Sequence, residues 1–186
     1  MNLEFRPYQN LTLCESLEIL ALRNQEHIRK NMYNQEVIAK DDHLKWVGSL
    51  CDRMDCRYWA ILKDGVIVGA LDITHLSEDG RRAEWGFYIG KDHPGLGAIV
   101  ETAALDYFFD VMGIEVLTAT VQNDNLLVYK LHVEKFGFKE DPSVSQILNG
   151  RCYRGISLTA EGWVARKGRM HRILEKMLSG GSLTWS

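Results

Sequence analysis

The chain has 186 residues, with 22 Lys and Arg against 25 Asp and Glu, so its formal net charge is −3. That length predicts a single domain over residues 1–186, of which 161–186 form a C-terminal helix and tail. The weakly acidic balance argues against a nucleic-acid binder and against a polybasic membrane patch. No stretch approaches the roughly 18 apolar residues of a membrane-spanning helix. Residues 1–10 carry no basic leader before an apolar segment, so we expect a cytoplasmic protein without a secretory signal.

The hydrophobic periodicity predicts helices and strands in alternation along most of the chain. In chain order these are strand 3–7, helix 16–31, helix 41–51 capped by Asp41 or Asp42, strands 58–62, 66–74 and 83–89, helix 98–112, strand 116–121, helix 125–135, one or two strands within 146–158, and helix 163–178. The tail with Gly180 and Gly181 is expected to be frayed. This order predicts an α/β fold with a mixed central sheet flanked by helices.

The four cysteines are distributed without a metal-binding pattern. Cys14, Cys51, Cys56 and Cys152 form no CxxC pair and have no histidines at zinc-finger spacing. We therefore expect reduced thiols, buried or half-buried, and no metal site.

A glycine-rich loop between a strand and a buried helix is the strongest local signal. Gly90, Gly95 and Gly97 follow the aromatic strand and precede the apolar helix. Glycines before a helix N-terminus let backbone N–H groups approach a phosphate, although most such loops are plain connectors. The loop matches neither the Walker pattern nor the Rossmann pattern.

The segment after the next strand supports a functional interpretation of that loop. It runs from Asn125 through Tyr129 and His132 to Gly137-Phe138. With the loop, this segment resembles the GCN5-related N-acetyltransferase (GNAT) superfamily over about residues 58–138. Relative to that family one residue is inserted before Gly137, and we predict that Val133 lies in a π-bulge.

The resemblance implies the GNAT fold, with a mostly antiparallel sheet, and acetyl-CoA as the acetyl donor. It places donor binding on these residues: Phe87, Tyr88, Ile89, Gly95, Leu96, Gly97, Ala98 and Asn125. The loop departs from the family at Pro94, where Arg or Gln is usual, and at Ile99, where Gly or Ala is usual.

The N-terminal half resembles one branch of that superfamily, the N-acetyltransferases that act on a UDP-linked 4-amino-4,6-dideoxy sugar in pseudaminic acid biosynthesis. The resemblance is carried by Arg-Asn, Met-Tyr and His-x-x-Trp elements in order. It implies a UDP-amino sugar as acceptor, bound by Arg23, Asn24, Met32, Tyr33, His43 and Trp46. Arginine pairs bidentately with phosphate, and Arg29 is a further candidate. Each of these residues also has an ordinary structural interpretation in a helix or core.

The resemblance places His132 where the family usually has a Tyr that protonates the departing thiolate. Free imidazole titrates near ~6.5 and free phenol near ~10, so a histidine suits this role. We predict His132 as the general acid, with Tyr129 as the alternative if the inserted residue rotates the helix. No general base stands out, and His43 or a chain of waters is the candidate. Asp72 and Glu84 are interpreted as hydrogen-bonding or edge residues.

Two other functions remain open from the sequence. A GNAT enzyme that acetylates a polyamine or a protein N-terminus is one, and a non-catalytic acyl-CoA-binding module is the other, for which Pro94 and Ile99 are the best support. The basic run in helix 163–178 is interpreted as a solvated face. Segments 144–148 and 153–158 form an edge that allows a homodimer.

Overall fold

A computed structural model describes all 186 residues. The helices are α1 (Leu13–Arg23), α2 (Glu26–Arg29), α3 (Lys40–Ser49), α4 (Leu96–Asp106), α5 (Leu126–Lys130) and α6 (Ala160–Leu178). The strands are β1 (Leu3–Pro7), β2 (Arg57–Lys63), β3 (Val66–Thr74), β4 (Arg82–Ile89), β5 (Val116–Gln122), β6 (Lys139–Glu140), β7 (Gln146–Leu148), β8 (Arg151–Thr159) and β9 (Leu183–Trp185). α4 and α5 continue into π-helical turns at Tyr107–Val111 and Leu131–Phe136. No helix has the length and apolar character needed to cross a membrane.

All strands belong to one sheet in the order β6-β8-β5-β4-β3-β2-β1-β9, with β7 also beside β8. Two neighbouring pairs are parallel, β4 with β5 and β1 with β9. The remaining pairs are antiparallel. The predicted mixed, mostly antiparallel sheet flanked by helices is therefore confirmed.

The two faces of the sheet bury different sets of side chains, because successive residues of a strand point to opposite faces. On one face, α4 and α6 cover the main core, which includes Leu117 and Ala119 of β5. On the other face, a smaller cluster forms around Ile19 of α1 and Ala70 of β3. We call these the α4 face and the α1 face.

The predicted helix 16–31 is wrong in its bounds. α1 starts earlier, after a capping box made by Thr12 and Glu15, and it ends at Arg23. The Asn24 side chain donates to the Ile38 carbonyl at 2.9 Å and accepts from the Ile38 N–H at 2.9 Å. These two bonds close the segment 25–38, in which the short helix α2 is followed by a loop that returns over the α1 face. An aspartate cap for the second helix is also wrong, because α3 follows Ala39 without a side-chain cap.

The expectation of a frayed tail is wrong as well. Residues 183–185 form β9, which pairs in parallel with β1. The Trp185 ring stacks on Tyr107 with centroids 3.8 Å apart and on Phe5 with centroids 4.1 Å apart. Three of the four free cysteines are exposed, not buried, and Cys56 alone is buried.

This packing predicts that Trp185→Ala lowers stability measurably. Loss of a half-buried aromatic ring with two stacked partners costs about 2 kcal/mol. For a chain of this size that corresponds to a fall in Tm of roughly 4–8 °C. Calorimetry on Trp185→Ala, with the exposed neighbour Thr184→Ala as the control, measures it. An unchanged Tm for both variants would mean that β9 does not form in solution.

Candidate functional site

A wedge opens between β4 and β5 at the centre of the sheet. The two strands pair only from Arg82–Glu84 to Val116–Thr118, although both continue beyond that point. The Gly90 N–H donates to the Val68 carbonyl at 2.8 Å. Because N–H groups of successive residues in a strand point to alternate sides, this bond shows which residues of β4 direct their N–H groups toward β3. Phe87 and Ile89 therefore direct their N–H groups toward β5, where no strand accepts them. These donors line the wedge.

The N-terminus of α4 faces the same wedge. Gly95 precedes it with φ of 82°, a left-handed conformation that favours glycine, and no side chain caps the helix. A Cβ at Gly97 would lie 3.8 Å from the Phe87 ring and 3.9 Å from Leu131. The free N–H groups of the first turn suit a phosphate. Ile99 is buried in the core, so this departure from the family leaves the helix N-terminus open.

The helix that follows β5 contains the inserted residue where the sequence predicted it. α5 continues as a π-helical turn over Leu131–Phe136, which includes Val133, and Gly137 ends it with φ of 85°. The predicted π-bulge is confirmed. Asn125 precedes α5, and its side chain makes no capping bond.

His132 lies below the wedge in a pair with Glu101 of α4. Its Nδ1 is 2.6 Å from Glu101 Oε1, and the two residues are 5% and 0% exposed. The imidazole packs against the Trp85 and Phe138 rings, with centroid distances of 5.6 and 5.3 Å. Burial raises the pKa of Glu101, and the attraction of His132 opposes that rise. The contact with Glu101 engages Nδ1, so Nε2 is the ring nitrogen without a protein partner.

Tyr129, the alternative acid, has its hydroxyl engaged elsewhere. The hydroxyl donates to Glu140 Oε1 at 2.6 Å, and Arg154 lies 5.0 Å above the ring. The hydrogen bond to Glu140 raises the pKa of the Tyr129 phenol. A phenol held in this way is a poorer proton donor than a free one.

On the α1 face, Tyr33 closes over the other side of the wedge. Its hydroxyl donates to Glu84 Oε1 at 2.6 Å, contacts the Thr120 hydroxyl, and accepts from Gln146 Nε2 at 2.6 Å. Removal from water, followed by the bond to Glu84, raises the pKa of Tyr33. A cavity of about 580 Å³ opens beside these residues.

Two arginines border the loop that carries Tyr33. Arg23 Nη2 donates to the Asn34 carbonyl at 2.6 Å, and Arg29 Nη1 donates to the Gln35 carbonyl at 2.7 Å. Arg23 Nη1 and Arg29 Nε are buried without an acceptor. Burial lowers the pKa of Arg23. Two unpaired guanidinium donors are suited to an anion.

The other predicted acceptor residues have structural partners. His43 Nε2 lies 3.0 Å from both the hydroxyl and the carbonyl of Ser16, and burial lowers its pKa. Trp46 packs edge-on against Tyr58 with centroids 4.8 Å apart. Asn24 holds the loop as described, and the Met32 carbonyl accepts from the Tyr153 hydroxyl at 3.2 Å. The structure thus brings Tyr33 to the wedge and Arg23 to the loop that carries it. Asn24 and Met32 hold this loop, whereas His43 and Trp46 pack α3 against α1 and β2.

Two carboxylates near the wedge were not predicted as functional. Glu101 is the one acid in the buried half of an apolar helix, and Asp72 interrupts the apolar strand β3. An isolated acid in an apolar element is a signal that sequence reasoning can use, because an unpaired carboxylate is costly there. No three His, Cys, Asp or Glu side chains converge in a way that would hold a metal ion.

Comparison with known proteins agrees with this geometry. The family described as acetyltransferase (GNAT) domain matches residues 2–139, so the chain belongs to the GNAT acetyltransferases. The chain is an N-acetyltransferase that uses acetyl-CoA. The resemblance of its sequence to the GNAT superfamily implied the same activity.

Relatives and solved structures refine that placement. Acetyltransferase PseH from Campylobacter jejuni serotype O:2 is 24% identical over 130 residues, 70% of this chain and 81% of the relative. PseH from the O:23/36 strain is 26% identical over 127 residues, 67% and 79% of the two chains.

Two solved structures share the fold. The C. jejuni PseH crystal structure in complex with acetyl coenzyme A has a TM-score of 0.65 at 18% identity, and the match covers 84% of this chain and 98% of that one. The spermidine N-acetyltransferase from Vibrio cholerae, in complex with CoA and spermine, has a TM-score of 0.76 at 19% identity, covering 88% and 98%.

Proposed function

We propose that this enzyme transfers acetyl from acetyl-CoA to the amino group of a UDP-linked 4-amino-4,6-dideoxy sugar. The observation that carries the choice of acceptor is the pairing of opposite charges on the α1 face. Arg23 and Arg29 have buried guanidinium nitrogens without an acceptor, and Asp72 and Glu84 lie close together on the neighbouring strands β3 and β4. A UDP-amino sugar carries both a diphosphate and an amine. The PseH relatives support the same acceptor class.

In this proposal the donor enters from the α4 face. The pyrophosphate of acetyl-CoA binds at the first turn of α4, where Gly97 and Ala98 present N–H groups. The pantetheine arm lies in the wedge and bonds to β4 as an added strand would. The thioester carbonyl then accepts from the N–H groups of the 87–89 segment, and these stabilise the oxyanion as it forms.

His132 is the group proposed to protonate the departing thiolate. It lies on the α4 face directly below the open part of β4, within contact of Trp85 and Phe87. Nδ1 is bonded to Glu101, so the donated proton is the one on Nε2 of the imidazolium, a form that the neighbouring carboxylate stabilises. Tyr129 remains the second candidate, with its hydroxyl committed to Glu140.

A polyamine acceptor is the competing proposal, since a spermidine N-acetyltransferase has the same fold. A polycation would be drawn to the acidic pair but repelled by the two guanidiniums. A structural similarity at 19% identity shows a shared fold only. The choice of acceptor must therefore be argued from the side chains of this chain.

One assay separates the acceptors. Release of CoA thiol is measured on adding a UDP-4-amino-4,6-dideoxy sugar, spermidine or a peptide with a free N-terminus. We expect rapid release with the sugar nucleotide and a kcat/KM at least tenfold lower with the other two, because each lost charge-assisted bond costs about 1.5 kcal/mol or more. Preferential release with spermidine would reject the UDP-sugar proposal.

Arg23→Gln tests the anion site directly. We expect KM for the sugar nucleotide to rise about tenfold, since one charge-assisted hydrogen bond to phosphate is lost. The Kd for acetyl-CoA, which binds on the opposite face, should stay constant. Arg169→Gln on the exposed side of α6 is the matched control. An unchanged KM in Arg23→Gln would remove this arginine from the acceptor site.

A further inference from the structure

A carboxylate lies across the sheet from the centre of the open part of β4. Asp72 of β3 pairs in register with Gly86, the residue between Trp85 and Phe87. A Cβ added at Gly86 would lie 3.7 Å from Asp72 Oδ1. Because Gly86 has no side chain, a notch remains on the α1 face beside the backbone segment that receives the thioester. The Asp72 carboxylate forms one wall of that notch.

The carboxylate has no protein donor, although it is surrounded by other titratable groups. Asp72 is half-buried and its carboxylate accepts no hydrogen bond from the protein. The neighbouring groups that face it are Glu84 and Tyr88 of β4, Tyr58 of β2, Tyr8 after β1, and Arg23 of α1 beside Tyr8 and Tyr88. A partly buried carboxylate without a hydrogen-bond donor lowers the stability of the fold. Carboxylates of this kind are common in active sites, where they take part in the reaction.

We propose that Asp72 is the general base of the reaction, a catalytic residue that takes a proton from the acceptor amine in the Gly86 notch. The proposal rests on the acetyl transfer described above and holds for whichever amine the enzyme accepts. As the amine nitrogen attacks the thioester carbon, a C–N bond forms and one N–H proton moves to an Asp72 oxygen. The C–S bond then breaks, and the thiolate takes the Nε2 proton of the His132 imidazolium, which becomes the neutral imidazole. Amine and acetyl-CoA become amide and CoA thiol, and both side chains recover their starting states through water.

The placement of the two groups on opposite faces of the sheet supports this division. Asp72 lies on the α1 face, where Tyr33 and Glu84 line the acceptor cavity. His132 lies on the α4 face, in the core that packs under β4. A base on the side of the incoming amine and an acid on the side of the leaving thiol match the direction of the reaction.

The protonation behaviour of Asp72 agrees with the role. Removal from water and then repulsion by Glu84 raise the pKa of Asp72 to about 7. A base must be ionised to act, so activity is expected to fall as pH drops below about 7. The same rise means that the folded state holds a proton that the unfolded state releases near ~4. Stability therefore declines as pH rises from about 4 through about 7, and an uncharged isostere removes that decline.

Asp72→Asn is the test, with kcat measured from pH 5.5 to 9 on the amine that the wild-type enzyme acetylates best. We expect kcat at pH 7.5 to fall at least about tenfold and the acidic limb of the profile to disappear. Tm at pH 8 should equal or exceed that of the wild type. The Kd for acetyl-CoA should be unchanged. Asp42→Asn, which removes an exposed carboxylate of α3, is the matched control and should change none of these.

Two results would overturn the proposal. One is an Asp72→Asn variant whose pH profile keeps its acidic limb, and the other is a carbon NMR titration of the Asp72 carboxyl with a midpoint near ~4. A variant that loses activity and Tm together would also count against it, because a structural carboxylate behaves in that way. A preference of the wild type for spermidine overturns the UDP-sugar acceptor but leaves the Asp72 test intact, so the two failures are distinguishable.

Discussion

His132→Phe is expected to lower kcat about a hundredfold, with KM for the acceptor within about twofold of the wild type. The phenyl ring fills the space between Trp85 and Phe138, so packing is retained while the proton donor is lost. The thiolate then leaves without a proton, and the barrier for C–S cleavage rises. Because the acceptor binds on the opposite face, its affinity should not change. Steady-state thiol release at saturating acetyl-CoA measures the effect.

Two further variants make this result specific. His132→Gln keeps a hydrogen-bonding partner for Glu101 but has no group that can deliver a proton, so it should match His132→Phe in kcat. Tyr129→Phe should retain kcat within a few-fold, since its hydroxyl is committed to Glu140. Loss of activity in Tyr129→Phe with retention in His132→Phe would reverse the assignment.

Much of the fold was predictable because its signals are local. The turn Lys63-Asp64-Gly65 joins two apolar strands, and β3 has the predicted bounds. The π-helical turn was predicted because Gly137 falls five residues after His132, where the family that this segment resembles has four. Such features depend on periodicity and turn chemistry, which a single sequence carries.

Features that depend on long-range pairing were not predictable in the same way. β9 pairs with β1, from which it is separated by almost the whole length of the chain. The sequence of residues 179–186 alone does not indicate that β1 is its partner. The end of α1 at Arg23 depends on the bond between Asn24 and Ile38, which requires the loop to be in place. In both cases a tertiary contact overrides a local expectation.

The candidate site divides along the same line. Motif residues such as Gly95, Gly97 and His132 were found from sequence, and the structure places them around one wedge. Glu101 and Asp72 gain their significance from partners on other elements, His132 from α5 and Gly86 from β4. Helix packing and strand register create those pairs, and neither can be derived from one sequence without an alignment.

The Glu101–His132 pair leads to the second large expected effect, in which Glu101 acts as a positioning residue. Glu101→Gln should lower kcat by roughly ten- to a hundredfold, which is the usual effect of removing a residue that hydrogen-bonds and orients a functional histidine. The glutamine amide can accept from a protonated Nδ1 or donate to an unprotonated one. It therefore no longer determines which ring nitrogen carries the proton, and Nε2 is no longer fixed as the reacting nitrogen. KM for both substrates should stay constant, because Glu101 is fully buried and distant from solvent.

A structural role for Glu101 predicts different measurements. Glu101→Asp keeps the charge and should restore part of kcat, whereas Glu101→Leu should destabilise the fold by about 3 kcal/mol because it leaves His132 buried without its partner. Nitrogen NMR on histidine-labelled enzyme should show one tautomer of His132 in the wild type and a mixture in Glu101→Gln. A single tautomer in both, with kcat unchanged, would show that packing against Trp85 and Phe138 alone orients the imidazole. A lower kcat with a mixed tautomer and an unchanged Tm would show that the carboxylate orients it.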